Sequence, residues 1–276
     1  MNKSKLIIIF LAVLLIASIG ANVFFAGFTI APNSNDQTKL GMVSALSQVQ
    51  VNIDRELQRI GCSLAYASEQ LTNTGLTGVQ ADAILSALAA NSTFIIDAGT
   101  EDLNNIMVAV QPPSCSNVLG LDVGEQTWLN TNPHGSIKPM MTPVIPLVEG
   151  SEGIAMAAPI FNTNKEMIGT VSVIFNPQEL VSACIAQTTE GDKYEFAVMQ
   201  TDGYCIYDSE PEYQGINLLT NTTLSDYNLI INSVRQTAEY ISGYYLYDYE
   251  GTNWQLYWTT INAFGQDWRL SVHHSA

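Results

Sequence analysis

The sequence predicts an α+β protein: two antiparallel-sheet modules stacked along one long N-terminal helix, preceded by a transmembrane helix. Three observations carry this prediction. Leu6 to Ala31 contains no charged residue, enough to cross a bilayer core that takes about 20 apolar residues in helical form. Apolar residues at Leu46, Val49, Ile53, Leu57, Ile60, Leu64, Ala67 and Leu71 advance by alternating steps of three and four, the spacing of one helix face. From Thr93 onward the pattern changes to short β-type runs separated by turn residues and by two further helical segments.

The run LIIIFLAVLLIASIGANVFFAGFTIA exceeds the about 7 to 15 apolar residues of a signal-peptide core. Its length favours a retained anchor at residues 6–31, with cleavage near Ala17 to Ala21 as the alternative. Lys3 and Lys5 place residues 1–5 in the cytoplasm by the positive-inside rule and the remainder outside. The expected location is therefore the cell membrane, single-pass, with an extracytoplasmic C-terminal domain. Nothing after Ala31 has 18 uncharged apolar residues in a row.

Pro32 and the polar break Asn33 to Asp36 open the ectodomain. The stripe predicts a helix from about Gln37 to Leu71, roughly 50 Å at a rise of 1.5 Å per residue, more than one small module needs. The spacing is also a heptad, so it admits a homodimer seam, although a core-facing stripe is the commoner use. A second helix is expected from Thr77 to Ala90, between Gly75 and Asn91. Strands follow at Thr93 to Asp97, Ile106 to Val110, Ile154 to Phe161 and Met167 to Phe175, with a hairpin turn at Asn162 to Lys165. The intervening stretch, Pro112 to Gly153, is rich in proline and reads as surface loops around a site. Asn176-Pro177 opens a helix that carries Gln178 to Gln187, with Asn as N-cap and Pro at the first helical position.

The boundary falls at Gln187 to Asp192. Residues 37–190 thus hold the long helix and the membrane-distal module, and 191–276 the membrane-proximal one. In the latter, Tyr194 to Gln200 and Tyr204 to Asp208 flank Thr201-Asp202-Gly203, a hairpin signal. A helix over Tyr227 to Tyr240 precedes strands at Gly243 to Tyr249, Gln255 to Ala263 and Trp268 to His273. Strand, strand, helix and three strands is the order of a PAS-like antiparallel sheet.

Composition excludes some functions. With 47% hydrophobic residues the chain is too apolar to be disordered, and 10 Lys and Arg against 26 Asp and Glu leave no electrostatic basis for binding nucleic acid. No GxSxG, HExxH or Gly-rich phosphate loop is present, and His273-His274 read as an exposed terminus, so no enzyme, cofactor or metal is expected. The scattered Cys62, Cys115, Cys184 and Cys205 are candidates for disulfides outside the cell, in any of three connectivities, or for buried thiols. Cys184 with Cys205 is preferred because it joins the helix ending the first module to the hairpin opening the second. Asn91 and Asn221 head glycosylation tripeptides.

Three ordered segments then carry a family resemblance: GIAMAAPIFNTNKEMIGTVSVIFNPQELV from Gly153 to Val181, FAVMQTDGYCIYDSEPEYQG from Phe196 to Gly215, and WTTINAFGQDWRLSV from Trp258 to Val272. Together they resemble the double Cache extracytoplasmic sensors of prokaryotic chemoreceptors and sensor kinases, over roughly Gln37 to His274. The resemblance implies two PAS-like modules and a small-molecule pocket in the distal one. The amino-acid-binding branch has an Arg beside a Trp-Tyr pair; here Trp128 precedes Leu129, and no Arg lies between Gly99 and Gly153. An amino acid is therefore not implied.

The distal loop instead supplies Trp128, His134, Lys138 and Met140-Met141, an apolar and aromatic wall. Lys138 is the only basic residue between Arg59 and Lys165, a partner for an anionic ligand. The expected function is a membrane-anchored sensor or binding protein. Since no kinase, cyclase or methyl-accepting segment follows the modules, it would signal through a separate protein. The rival is an adhesive surface protein self-associating along the long helix.

Overall fold

A computed structural model describes residues 34–124, 138–148, 150–189, 193–221, 228–249 and 251–275. The candidate anchor, residues 6–31, lies outside them; among the described residues no helix is long and apolar enough to cross a membrane. The chain divides into two compact units, one ending at Leu40 and one from Gly41 to Ala276. In the first, only helical residues from Ser34 are described.

Helix α1 (Ser34–Thr74) confirms the predicted long helix. Gly75, at φ 79°, takes the left-handed conformation that ends it, and its N–H donates to Leu71 O at 2.9 Å. All eight stripe residues are buried in one core cluster shared with both sheets. The stripe therefore faces the protein's own sheets.

α2 (Val79–Ala89) leads into the first sheet, made of β1 (Ile95–Glu101), β2 (Met107–Gln111), β3 (Met140–Met141), β4 (Ile145–Pro146), β5 (Glu152–Phe161) and β6 (Met167–Phe175). Its path is β2-β1-β6-β5-β3, with β4 on β5. α3 (Pro177–Ala186) starts as the sequence predicts: Asn176 Oδ1 accepts from the N–H groups of Gln178 and Glu179, and Pro177 occupies the first turn. The second sheet holds β7 (Glu195–Gln200), β8 (Cys205–Asp208), β9 (Gly243–Tyr249), β10 (Thr252–Ala263) and β11 (Gln266–Ser275), with α4 (Asn228–Glu239) between β8 and β9. Its path is β8-β7-β11-β10-β9. Without β4, both sheets run second, first, fifth, fourth, third, so the molecule repeats one PAS-like topology.

The modules meet through the segment around β3 and β4. Met141 N–H donates to Phe264 O at 2.8 Å, Gln266 Nε2 to Met141 O at 3.0 Å, Val144 N–H to Gln200 Oε1 at 2.7 Å and Tyr204 OH to Glu152 Oε2 at 2.6 Å. The preferred disulfide is absent. Cys184 packs in the main core and Cys205 in a separate cluster with Met199, Leu218 and Ile231, so the two thiols serve different cores. No disulfide is present among the described residues.

Candidate ligand-binding site

The distal sheet has two faces, and strand register assigns its residues to them. Ala98, Val173, Met156 and Met141 form one cross-strand row and belong to the α1 core. The adjacent row, Gly99, Ser172, Ala157 and Met140, lies on the opposite face, because side chains alternate along a strand. Asp97, level with Ile174, and Glu101, level with Thr170, share that face. Both acids are buried, at 0% and 1% exposure. Small residues stand between the acids at Gly99, Ala155, Ala157 and Ser172, with the Met107 thioether over Gly99 and Leu147 packed with Ala155.

Glu101 accepts hydrogen bonds from the hydroxyls of Thr170 and Ser172. Burial raises its carboxyl to about 7, outweighing the downward pull of those bonds. Gly169 serves this geometry: a Cβ there would collide with the carbonyl oxygen of Glu101.

Of the residues expected to form the wall, Trp128 and His134 lie outside the described residues. Lys138 is exposed. Met140 lies on the Asp97–Glu101 face at the sheet edge, with its thioether against Gly265 of the proximal module. Met141 is buried in the α1 core, so it belongs to the module junction and not to a binding wall. Sequence reasoning missed Asp97 and Glu101 because the strand was expected to end at Asp97. The alternation in Ile95-Ile96-Asp97-Ala98-Gly99-Thr100-Glu101, acid, glycine, acid at every second position, was the available signal. Asn91 is exposed at the end of α2 and accepts from Arg59 through its carbonyl and Oδ1; Asn221 is half-buried.

A second concavity lies in the proximal module, a cavity of about 350 Å³ between α4 and the sheet. Tyr247 and Trp254 face each other across β9 and β10, their rings stacked at 6.3 Å and 10°. His273 corrects the expectation of an exposed terminus. It lines the cavity from β11, 2.9 Å from Ser271 Oγ and 3.4 Å from Tyr247 OH, and burial lowers its pKa to about 4, leaving it neutral. Asp208, also lining the cavity, is raised to about 7 by burial and by repulsion from Glu195 and Glu210, against a hydrogen bond from the Glu210 N–H.

Residues 55–177 match the sensor-domain family described as HK/GC/chemotaxis protein-like. No curated protein matches the chain. Among solved structures, an extracellular ligand-binding receptor from Desulfohalobium retbaense is 28% identical, with TM-score 0.72; the match covers 86% of this chain and 40% of that one. The chain thus spans less than half of that receptor's length. The ligand-binding domain of the Campylobacter jejuni chemoreceptor Tlp3, solved with 4-methylisoleucine, is 12% identical over 91% of this chain and 96% of that one, with TM-score 0.66. That of the Pseudomonas fluorescens chemoreceptor CtaA, solved with L-alanine, is 16% identical over 87% and 96%, with TM-score 0.61. The repeated sheet path, the long helix packed against both sheets and the sensor-domain match over residues 55–177 make the chain similar in fold to Cache-type, PAS-like extracellular ligand-binding domains.

Proposed function

We propose that this protein is a membrane-anchored, non-enzymatic sensor that binds a small molecule in its distal module and passes the signal to a partner protein. The observation that carries the reading is the distal sheet face, where two buried carboxylates and a row of small residues lie across from the α1 core. Buried carboxylates are retained where polar groups meet them, as the hydroxyls of Thr170 and Ser172 meet Glu101, so this face suits a polar ligand. The Pro112 to Gly153 segment would form the wall, with Trp128 and His134 in it and Lys138 at its edge. Lys138 is the group for a ligand carboxylate, and Asp97 the group for a ligand ammonium. Amino acids, which the Tlp3 and CtaA domains bind, are therefore included among the candidates.

The adhesive reading loses its main support, because the heptad face it requires is covered by the chain's own sheets. A thermal-shift screen of the full chain against small metabolites tests the proposal. A ligand at a hundredfold excess over its Kd should stabilise the fold by about 2.7 kcal/mol. Lys138→Ala should weaken a carboxylate ligand roughly ten- to hundredfold through loss of a charge-assisted bond, leaving the melting temperature of the free protein unchanged. A screen without any stabilising compound, or a ligand indifferent to Lys138→Ala and Asp97→Asn, would remove the distal site.

A further inference from the structure

We propose that the proximal cavity is a second binding site, for an organic cation whose ammonium is met by Asp208 and Glu210 and whose body lies against the Tyr247–Trp254 pair. This goes beyond the distal reading and does not depend on it. The cavity, about 350 Å³, lies within the roughly 300–1,000 Å³ range of small-molecule pockets. Its lining includes Glu195, Asp208, Glu210 and Glu212 but no Lys or Arg, and His273 contributes no charge. An anion would therefore meet uncompensated repulsion.

Surface carboxylates are common in a chain with 26 acidic residues; these stand beside a half-buried aromatic pair in a cavity. Stacked aromatic rings attract a cation through their quadrupoles, most strongly when it is desolvated. Two further features lack a counterpart in the protein itself. The indole Nε1 of Trp254 is shielded from solvent without a hydrogen-bond partner among the described residues, so it offers a donor to a ligand acceptor. The upward shift of Asp208 reflects burial beside like charges without a compensating base, which a bound ammonium would supply. The hydroxyls of Ser233 and Thr237, also in the lining, already donate to Ile230 O and Ser233 O. Recognition therefore falls to the acids and the aromatic pair.

Tyramine is a suitable probe: a primary ammonium, an aromatic body and a phenolic oxygen able to accept from Trp254. Its neutral alcohol analogue tyrosol and its acid analogue para-hydroxyphenylacetate keep the body and change the charge. Isothermal titration of the full chain should show tyramine binding about tenfold or more tightly than tyrosol, and no binding of the acid. Trp254→Ala and the pair Asp208→Asn with Glu210→Gln should each weaken tyramine about tenfold or more. Glu210 is exposed, so Glu210→Gln alone tests the charge with the fold intact, and Trp254→Phe should recover part of the affinity lost in Trp254→Ala. The proposal is overturned if tyramine does not bind at millimolar concentration, if the acid or the alcohol binds as well, or if the Asp208 and Glu210 variants bind tyramine like the parent. Those variants do not touch Lys138 or Asp97, so failure here and failure of the distal reading are read separately.

Discussion

Glu101 shows how a single side chain records its surroundings. Burial holds its carboxyl at about 7, above the ordinary 4.5, so the native state binds that proton more tightly than the unfolded chain does. Its contribution to stability is complete below the unfolded value and is lost as pH rises through the folded one. Asp54 and Asp208, both raised by burial, act in the same direction, and His273, lowered by burial, acts in the opposite one. The difference between parent and Glu101→Gln isolates this residue. Relative to the variant, the parent should lose up to about 3 kcal/mol between about pH 5 and about pH 8 in urea denaturation. A difference that stays constant across that range would mean that Glu101 titrates as an ordinary carboxylate. At this scale the sequence was only partly readable. Lys138 stood out as an isolated base, whereas Asp97 and Glu101 resembled acids at a strand end until register placed them on a covered face.

Among the elements, α1 was legible because a three-and-four spacing sustained over the eight positions Leu46 to Leu71 has one explanation. The start of α3 was legible because Asn176 and Pro177 perform their chemistry locally. The fit of α1 against the β10–β11 turn was not. Phe264 adopts a positive φ of 50°, its ring packs against Gly61 of α1, and its carbonyl accepts from Met141 of the distal module. In an unobstructed helix, Gly61→Ala would gain about 1 kcal/mol of helix propensity. Here the new Cβ would land on the Phe264 ring, and overpacking costs about 1–3 kcal/mol. The variant should therefore be destabilised on balance in urea denaturation, and adding Phe264→Leu should restore much of the loss. A stabilised Gly61→Ala would show that the ring yields freely and does not fix the junction.

For the whole molecule, the repeated strand path means that two similar sheets share one helical spine, each presenting its other face to its own loops or helix. The distal face is occupied by small and acidic residues, and the proximal face by aromatics and α4. The charge-free run at residues 6–31 predicts that the full chain stays with the membrane fraction through a carbonate wash, as a bilayer-spanning helix requires. Recovery of a shortened soluble form would identify the run as a cleaved leader. In the proximal sheet, Tyr244 with Tyr257 and Tyr247 with Trp254 are direct strand partners. That the second pair also walls a cavity depends on α4, which the strand pattern does not contain.

The sequence by itself determined the parts whose physics is local or periodic: the apolar run, the helix stripe, the capped start of α3, the hairpin turns and the order of strands in the proximal module, whereas β3 and β4 of the distal sheet fall in the proline-rich stretch that reads as loops. Only the tertiary structure decided what depends on residues far apart in the chain. The α1 stripe was claimed by the chain's own sheets, because both sheets offer apolar faces that must leave water. Cys184 and Cys205 went to different cores because the cores, and not chain spacing, set their positions. His273 and Glu101 acquired shifted protonation because burial is a property of the packed molecule, and one strand's alternation does not say which of its faces will be covered.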